Sequence, residues 1–83
     1  MKLLYFAWIR AKIGTAEEQV VLPPDVRNVG QLLDWLGSRG PNYAAALKER
    51  SVVKVAVNQE YVAADHALQP GDEVALFPPV TGG

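Results

Sequence analysis

The chain has 83 residues, a formal net charge of -1 at pH 7 and no cysteine. A chain of this length forms one domain and buries about 60 to 65% of the surface that its unfolded state exposes, which is enough for one small core. The scattered 8 basic and 9 acidic residues form no basic stripe and exclude nucleic acid as a partner, and the lack of cysteine excludes disulfides and thiolate metal sites.

The first apolar run, Leu3 to Ile9, is the first predicted strand. It follows Lys2 as in a signal peptide, but it is at the short limit, has no small-residue cleavage site and meets Arg10 at once. No run in the sequence approaches the ~18 apolar residues of a membrane span, so a membrane is excluded as a partner and a cytoplasmic location is expected. By alternation along the strand, the side chains facing the core are Leu3, Tyr5, Ala7 and Ile9.

A second strand and the main helix follow. Residues 11–16 are interpreted as a connection, and Glu17 to Leu22 as a strand that pairs back on the first. Asn28 is a good N-cap with a glutamine three residues later, as in a capping box. Apolar residues at i, i+3, i+4 and i+7 predict one main helix that buries Val29, Leu32, Leu33 and Leu36. It closes at Gly37, and a short second helix is predicted from Asn42 to Arg50.

The remaining strands come from the last third of the chain. Alternating valines predict a half-buried strand from Val53 to Val57, and a turn at residues 58–59 leads to a shorter strand around Tyr61. Val74 to Phe77 is the last strand. Proline has no N–H to give to a ladder, so this strand ends before Pro78.

This order of elements matches an α+β fold, the β-grasp, in which one mixed sheet of about five strands curls over one main helix, here with a short second helix. A right-handed crossover puts the last strand beside and parallel to the first. Residues 1–77 form the predicted domain. Residues 78–83 form an extended C-terminal tail that leaves from the centre of the sheet's end.

The tail carries the chemistry that the sequence suggests. Pro78 and Pro79 hold the chain extended, so Val80 to Gly83 project about 13 Å from the body at roughly 3.3 Å per residue. Gly82 and Gly83 lack Cβ, which makes the tip thin enough for a narrow channel in a partner's active site. A frayed terminus is the alternative, but frayed ends rarely follow an apolar strand and a Pro-Pro pair.

Nothing else in the chain indicates catalysis. His66 is the only histidine and sits in a predicted turn, so neither a catalytic triad nor a histidine metal site is expected, and no metal is predicted. Gly37 and Gly40 follow a helix, whereas a phosphate-binding loop precedes one. The chain is therefore expected to bind no cofactor itself and to share any activity with partners.

The C-terminal sequence Phe77-Pro78-Pro79-Val80-Thr81-Gly82-Gly83 resembles the end of the molybdopterin synthase small subunits, a ubiquitin-like family of sulfur carriers. A terminal Gly-Gly alone fits any ubiquitin-like protein, and the preceding Phe-Pro-Pro-Val-Thr narrows the likeness to this family. Upstream, the likeness continues through Gly71 to Ala75, Phe6-Ala7 with Arg10 and Gly14, Val57-Asn58-Gln59, and Asp65-His66 with Leu68.

The resemblance implies a mechanism centred on Gly83. An activating enzyme that uses ATP adenylates the Gly83 carboxylate, and a desulfurase system delivers persulfide sulfur that displaces AMP and leaves a thiocarboxylate. The large subunit of the synthase supplies the pocket in which two thiocarboxylates convert cyclic pyranopterin monophosphate to the molybdopterin dithiolene. The family implies a heterotetramer in which this chain is a non-catalytic sulfur donor. The tail residues inserted into the partner are Pro78, Pro79, Val80, Thr81 and Gly82.

Three aromatic side chains form a predicted docking surface. By parity, Phe6, Tyr61 and Phe77 share the sheet face that the helix does not cover, and an exposed apolar patch usually marks a docking surface. The resemblance implies that both the large subunit and the activating enzyme bind there. The alternative is that these side chains only cover the edges of a small core.

Three other functions remain open. A ubiquitin-like modifier would join Gly83 to lysines of target proteins through an isopeptide bond after the same activation. A sulfur carrier could also serve another pathway, such as thiamine synthesis or tRNA thiolation. A plain β-grasp interaction module, with a tail that does no chemistry, is the weakest reading.

Overall fold

The fold is built on a five-stranded mixed sheet. The structure, a computed structural model, describes residues 1–79, and the predictions for Val80, Thr81, Gly82 and Gly83 lie outside the described residues. The strands are β1 (Lys2–Tyr5), β2 (Glu17–Gln19), β3 (Lys54–Val57), β4 (Glu60–Tyr61) and β5 (Glu73–Phe77). Their order is β2-β1-β5-β3-β4, with β5 parallel to β1 and antiparallel to β3. This confirms the predicted β-grasp and the predicted position of the last strand, beside and parallel to the first.

The hairpin of β1 and β2 is antiparallel, as predicted, but β2 is shorter than Glu17 to Leu22. Its pairing ends at the start of the chain. The Val20 N–H donates to the Met1 carbonyl at 2.9 Å, and the Met1 ammonium donates to the Val20 carbonyl at 3.0 Å. The regular ladder therefore ends at Gln19, and one further pair of hydrogen bonds joins Val20 to Met1.

The prediction of a strand from Leu3 to Ile9 is wrong in its second half. β1 ends early, and a helix, α1 (Ala7–Ile13), replaces the rest of the strand and part of the predicted connection. Ile9 and Ile13 lie one helical turn apart and are both buried. Ala7, predicted to face the core, is exposed. The burial predicted for Ile9 is correct, but a helix face provides it.

The limits of α1 are set by backbone geometry at Phe6 and Gly14. Phe6 is extended, and its carbonyl accepts the N–H groups of Ile9 and Arg10 at 3.1 and 3.3 Å. Ala7 has a φ of 53°, a left-handed conformation that costs about 1 kcal/mol for a residue with a side chain. Gly14 ends the helix at a φ of 98°, which glycine adopts without a Cβ clash. Burial of the Ile9 and Ile13 side chains offsets the backbone strain at Ala7. Residue propensities alone do not predict this helix, because they contain no information about tertiary burial.

The main helix, α2 (Val29–Gly37), matches the prediction. Asn28 Oδ1 accepts the Gln31 N–H at 2.8 Å, and the Gln31 side chain accepts the Arg27 N–H at 2.7 Å. These bonds satisfy two donors at the start of the helix. The predicted apolar stripe is buried in full: Val29, Leu32, Leu33 and Leu36. It forms one core cluster with the inward side chains of β1, β3 and β5.

The second predicted helix, residues 42–50, is shorter in the structure. α3 (Pro41–Ala46) ends where the sequence turns to Lys-Glu-Arg at residues 48–50, all exposed. No apolar side chain continues the buried face there, so the chain changes to a short 3₁₀ helix, Arg50–Val52, before β3. Within the described part of the chain, no helix is both long enough and apolar enough to cross a membrane.

Two turns hold β5 in place through Asp72. Asp72 is 9% exposed, and among the described residues 1–79 no other charged side chain is buried. Its carboxylate accepts the Asn58 amide at 3.0 Å and the Gln69 N–H at 2.8 Å. The Asn58 side chain in turn accepts the Glu73 N–H at 3.1 Å. The turn between β3 and β4 is thereby tied to the turn that begins β5.

A polar cluster that the sequence did not predict joins β1, β2 and α3. Glu18 Oε1 accepts the hydroxyls of Tyr5 at 2.9 Å and Tyr43 at 2.6 Å, and the Arg39 guanidinium lies 3.3 Å from Oε2. Arg39 also lies over the rings of Trp35 and Tyr43. Burial alone would raise the pKa of Glu18, but the bonds from Tyr43 and Tyr5 and the charge of Arg39 together lower it. Burial, and then the bond to Glu18, raises the pKa of both tyrosines.

Candidate docking site and carrier tail

The tail begins in the middle of the sheet. β5 lies between β1 and β3, and its last residue is Phe77. Pro78 and Pro79 follow, both half-buried, and neither has an N–H to continue a ladder. The predicted length and direction of the chain beyond Pro79 stay predictions.

An aromatic patch, formed by Phe6, Tyr61 and Phe77, lies beside this point. The Phe77 ring is 6.2 Å from the Phe6 ring and 5.3 Å from the Tyr61 ring, measured between centroids. Both pairs are edge-to-face, at 83° and 63°, which is the arrangement that aromatic quadrupoles favour. Phe6 is 47% exposed and Tyr61 65% exposed. The structure therefore brings the three predicted side chains together, with Phe6 and Tyr61 exposed and Phe77 half-buried between them.

The register of the sheet explains why Tyr61 and Phe77 meet. Ala56 of β3 pairs with Ala75 of β5 on one side and with Tyr61 of β4 on the other. Directly paired residues put their side chains on the same face of a sheet, and so do residues two apart along a strand. Phe77, two residues after Ala75, therefore shares a face with Tyr61. We call this the open face, because α2 covers the opposite one.

The position of Phe6 follows from the parallel pairing of β1 and β5. Tyr5 pairs with Leu76, and both side chains point into the core, where they are 1% and 0% exposed. The next residue on each strand points the other way. Phe6 and Phe77 consequently leave the sheet together on the open face. Because successive side chains alternate between the two faces of the sheet, Tyr5 and Leu76 lie in the core and Phe6 and Phe77 lie in the aromatic patch.

A groove of about 700 Å³ adjoins the aromatic patch. Tyr61 lines both, and Pro79 lines the groove at the start of the tail. The charged side chains among the described lining residues are those of Arg50 and Lys54, with no acidic residue beside them. Arg50 forms an ion pair with Asp34. The groove is therefore apolar with a basic margin.

The described residues include no group of three His, Cys, Asp or Glu side chains that could hold a metal ion. His66 lies in the loop before β5, where its N–H donates to the Ala63 carbonyl and its carbonyl accepts the Val29 N–H, both at 3.1 Å. Its backbone supports a turn and the start of α2. The arrangement on the open face offers apolar contact area for a partner next to Pro79.

Lys54 was not among the predicted site residues, although it lies at the site. It pairs with Phe77 across β3 and β5, so the lysine side chain and the phenylalanine ring leave the sheet on the same face. The signal was present in the sequence. Alternation of inward valines from Val53 to Val57 leaves Lys54 and Ala56 as the outward positions.

This β-grasp domain, with an aromatic patch beside a central strand that leads towards a Gly-Gly terminus, defines a ubiquitin-like protein. The chain belongs to the ThiS family, whose match covers residues 3–83. It is 41% identical to the molybdopterin synthase sulfur carrier subunit of Escherichia coli over 83 residues, which are 100% of this chain and 99% of the relative. The predicted family is confirmed.

Two solved structures share the fold over nearly the whole chain. A putative molybdopterin converting factor, subunit 1, from Pyrococcus furiosus is 34% identical with a TM-score of 0.78, and the match covers 95% of each chain. The small archaeal modifier protein 1 of Haloferax volcanii is 31% identical with a TM-score of 0.75, covering 96% of this chain and 97% of that one. One similarity agrees with the sulfur-carrier prediction, and the other with the modifier alternative.

Proposed function

We propose that this chain is the sulfur-carrier subunit of a molybdopterin synthase. The observation that carries the proposal is the similarity to the Escherichia coli sulfur carrier subunit, 41% identity over the full chain. The fold supports it, because β5 is the central strand of the sheet and the sequence that follows it ends in Gly-Gly. The cargo is one sulfur atom on the terminal carbonyl of Gly83.

The Gly83 carboxylate must be activated before it can accept sulfur. A carboxylate is a poor electrophile because its negative charge and its resonance oppose attack. An activating enzyme therefore transfers AMP from ATP to the carboxylate and releases pyrophosphate, which gives an acyl-adenylate. ATP is bound by that enzyme, and this chain contributes only the carboxylate.

Sulfur then replaces AMP. The terminal sulfur of a persulfide, supplied by a desulfurase system, attacks the Gly83 carbonyl, and AMP leaves. Reduction of the remaining S–S bond by a thiol frees the thiocarboxylate. This anion is nucleophilic at neutral pH without a neighbouring base. A carrier of this kind needs no acid–base residues of its own.

The larger subunit of the synthase receives the loaded tail. Pro78, Pro79, Val80, Thr81 and Gly82 enter its pocket and bring the thiocarboxylate to cyclic pyranopterin monophosphate. In each transfer the thiocarboxylate sulfur bonds to the substrate, and water cleaves the acyl C–S bond of the resulting thioester. Two carriers in succession thus supply the two sulfurs of the dithiolene, and each is released with a carboxylate at Gly83. The assembly is a heterotetramer of two large and two small subunits, and the reaction takes place in the cytoplasm.

The aromatic patch docks both partners of the carrier. Phe6, Tyr61 and Phe77 adjoin the start of the tail, so a protein that covers these rings is positioned to receive the tail in its active site. The larger subunit and the activating enzyme would use this one surface in turn. A carrier docked on the synthase therefore cannot be recharged until it dissociates.

Intact-mass spectrometry of a reconstituted system tests the proposal. The chain is incubated with the activating enzyme, ATP and the desulfurase system, and the expected product has sulfur in place of one C-terminal oxygen. Addition of the larger subunit and cyclic pyranopterin monophosphate should then yield the dithiolene and restore the original mass. A chain that never acquires sulfur would contradict the proposal.

The second candidate function is protein modification. It is favoured by the similarity to the small archaeal modifier protein 1 of Haloferax volcanii, 31% identity with a TM-score of 0.75. A modifier would pass the activated Gly83 carbonyl to lysine side chains of other proteins. Cell extracts separate the two functions, because a modifier gives higher-mass conjugates with isopeptide bonds at Gly83.

A further inference from the structure

Lys54 places a positive charge at the margin of the aromatic patch. It is exposed and pairs with Phe77, so its side chain stands beside that ring on the open face. Ala56, two residues further along β3, pairs with Tyr61. The lysine also lines the groove that begins at Tyr61 and Pro79. It thus borders both the patch and the start of the tail.

The two ends of the open face differ in charge balance. At the end away from the tail, Lys2 forms an ion pair with Glu17 at 3.4 Å and lies opposite Glu73. At the tail end, Lys54 takes part in none of the ion pairs among residues 1–79, and the neighbouring Arg50 is already paired with an aspartate. The aromatic patch is therefore bordered by one lysine whose charge no described residue balances.

We propose that the surface of the larger synthase subunit that covers the aromatic patch carries a carboxylate at its rim, placed against Lys54. This inference rests on the proposed function and adds the chemistry of the partner's surface, which has an apolar centre for the rings and an acidic edge beside β3. A rim ion pair stays close to water, so it acts mainly on the association rate and on the orientation of docking.

The chain's own terminal carboxylate is the other anion available to Lys54. Lys54 lies level with Phe77, and β5 runs past it into Pro78 and Pro79. A carboxylate held at Lys54 would be withheld from the partner's active site, where the proposed function requires it. The proposed function therefore favours an anion on the partner.

The test compares Lys54→Glu with Lys2→Glu in stopped-flow association with the larger subunit. Both substitutions change the net charge equally and lie on the open face, but Lys2 is about 13 Å along the sheet from the level of Phe77. We expect Lys54→Glu to slow association about tenfold at low salt, and the effect to shrink at high salt because ions screen the pair. Lys2→Glu should change the rate less than about twofold, and Lys54→Gln should fall between Lys54→Glu and the wild type.

Melting temperatures establish that the variants are folded, and Lys48→Glu, in the exposed segment after α3, replaces Lys2→Glu if that variant is unstable. Equal rates for Lys54→Glu and the control, or a deficit that salt does not change, would overturn the inference. So would faster association of Lys54→Glu, the result expected if Lys54 held the chain's own carboxylate. Phe77→Ala tests the proposed docking surface separately from the inference about Lys54. If Phe77→Ala bound the larger subunit with unchanged affinity, the aromatic patch itself would not be the docking surface.

Discussion

Asn58 and Asp72 are joined by a hydrogen bond of 3.0 Å across 14 residues of sequence. Asn58 and Gln59 form the two-residue turn after β3, with φ values of 51° and 71°. Asparagine tolerates this left-handed conformation better than most residues do. Because Asp72 directly precedes β5, the bond fixes the position from which the central strand runs towards Phe77 and the tail.

Asp72→Ala should lower the free energy of unfolding by about 1 to 3 kcal/mol, because it leaves the Asn58 amide and the Gln69 N–H without their acceptor. Urea unfolding followed by circular dichroism measures the change. Asp65→Ala, in the exposed loop before β5, is the matched control and should have little effect. Equal losses in the two variants would show that Asp72 does not anchor β5.

Glu18→Gln should destabilise the protein at neutral pH and less so in acid. The folded state lowers the pKa of Glu18 below the ordinary value of 4.5, so the ionised carboxylate stabilises the fold above that pH. This contribution is lost as the pH falls through the folded-state pKa. Urea unfolding at pH values from 7 to 3 should show the gap between wild type and Glu18→Gln narrowing from about pH 4.5 downwards. A gap that stays constant over this range would contradict the assignment.

Leu33→Ala should cost about 2 to 5 kcal/mol, because this side chain is 5% exposed and its loss leaves a cavity under α2. Val52→Ala, at a position 38% exposed, should cost much less. The folded fraction of Leu33→Ala should still accept sulfur, since the substitution lies in the scaffold. A variant that is fully stable but inactive would mean that this part of α2 contacts a partner.

Phe6→Ala and Phe77→Ala should each weaken binding to the larger subunit and to the activating enzyme by about 1 to 3 kcal/mol, the range of aromatic anchors at interfaces. Titration calorimetry against each partner measures the loss. Val21→Ala is the control, because Val21 is 93% exposed and lies outside the aromatic patch. If neither substitution changes either affinity, the aromatic patch has no part in the mechanism.

Deletion of Gly83, or substitution of Gly82 by a bulky residue, should abolish sulfur transfer without changing the melting temperature. Both positions follow Pro78 and Pro79 and lie beyond the predicted domain of residues 1–77. Thiocarboxylate formation and thermal unfolding are measured on the same preparation. A marked loss of stability in either variant would show that the tail has a structural role.

The sequence predicted best those elements whose local signals and tertiary environment agree. For α2, the Asn28 cap and the stripe containing Leu32 and Leu36 indicate the same helix, and the structure has it. The order of the strands followed from chain connectivity. The three rings of the aromatic patch could be placed on one face because a strand has a strict period of two.

The errors arose where tertiary packing overrides local preference. Ala7 enters a helix through a left-handed backbone conformation, which no residue pattern around it predicts. β2 ends at Gln19 although its apolar run continues to Leu22, because a strand extends only as far as its partner pairs with it, and β1 pairs with β2 from Lys2 to Leu4. The cluster around Glu18 joins side chains as far apart as Tyr5 and Tyr43, and single-sequence periodicity gives no signal for such long-range polar contacts.

The central position of β5 in the sheet has a consequence for the folding of the growing chain. β5 comes after the other four described strands in the sequence, yet it separates β1 from β3 in the sheet. A nascent chain that stops before Glu73 holds only the two-stranded pairs β1–β2 and β3–β4, and isolated pairs of this kind are marginally stable in water. The sheet is therefore complete only when β5, the strand that leads into Pro78, is present. A chain truncated before Glu73 is expected to be open to proteolysis, so that folded molecules are those that carry the stretch leading to the tail.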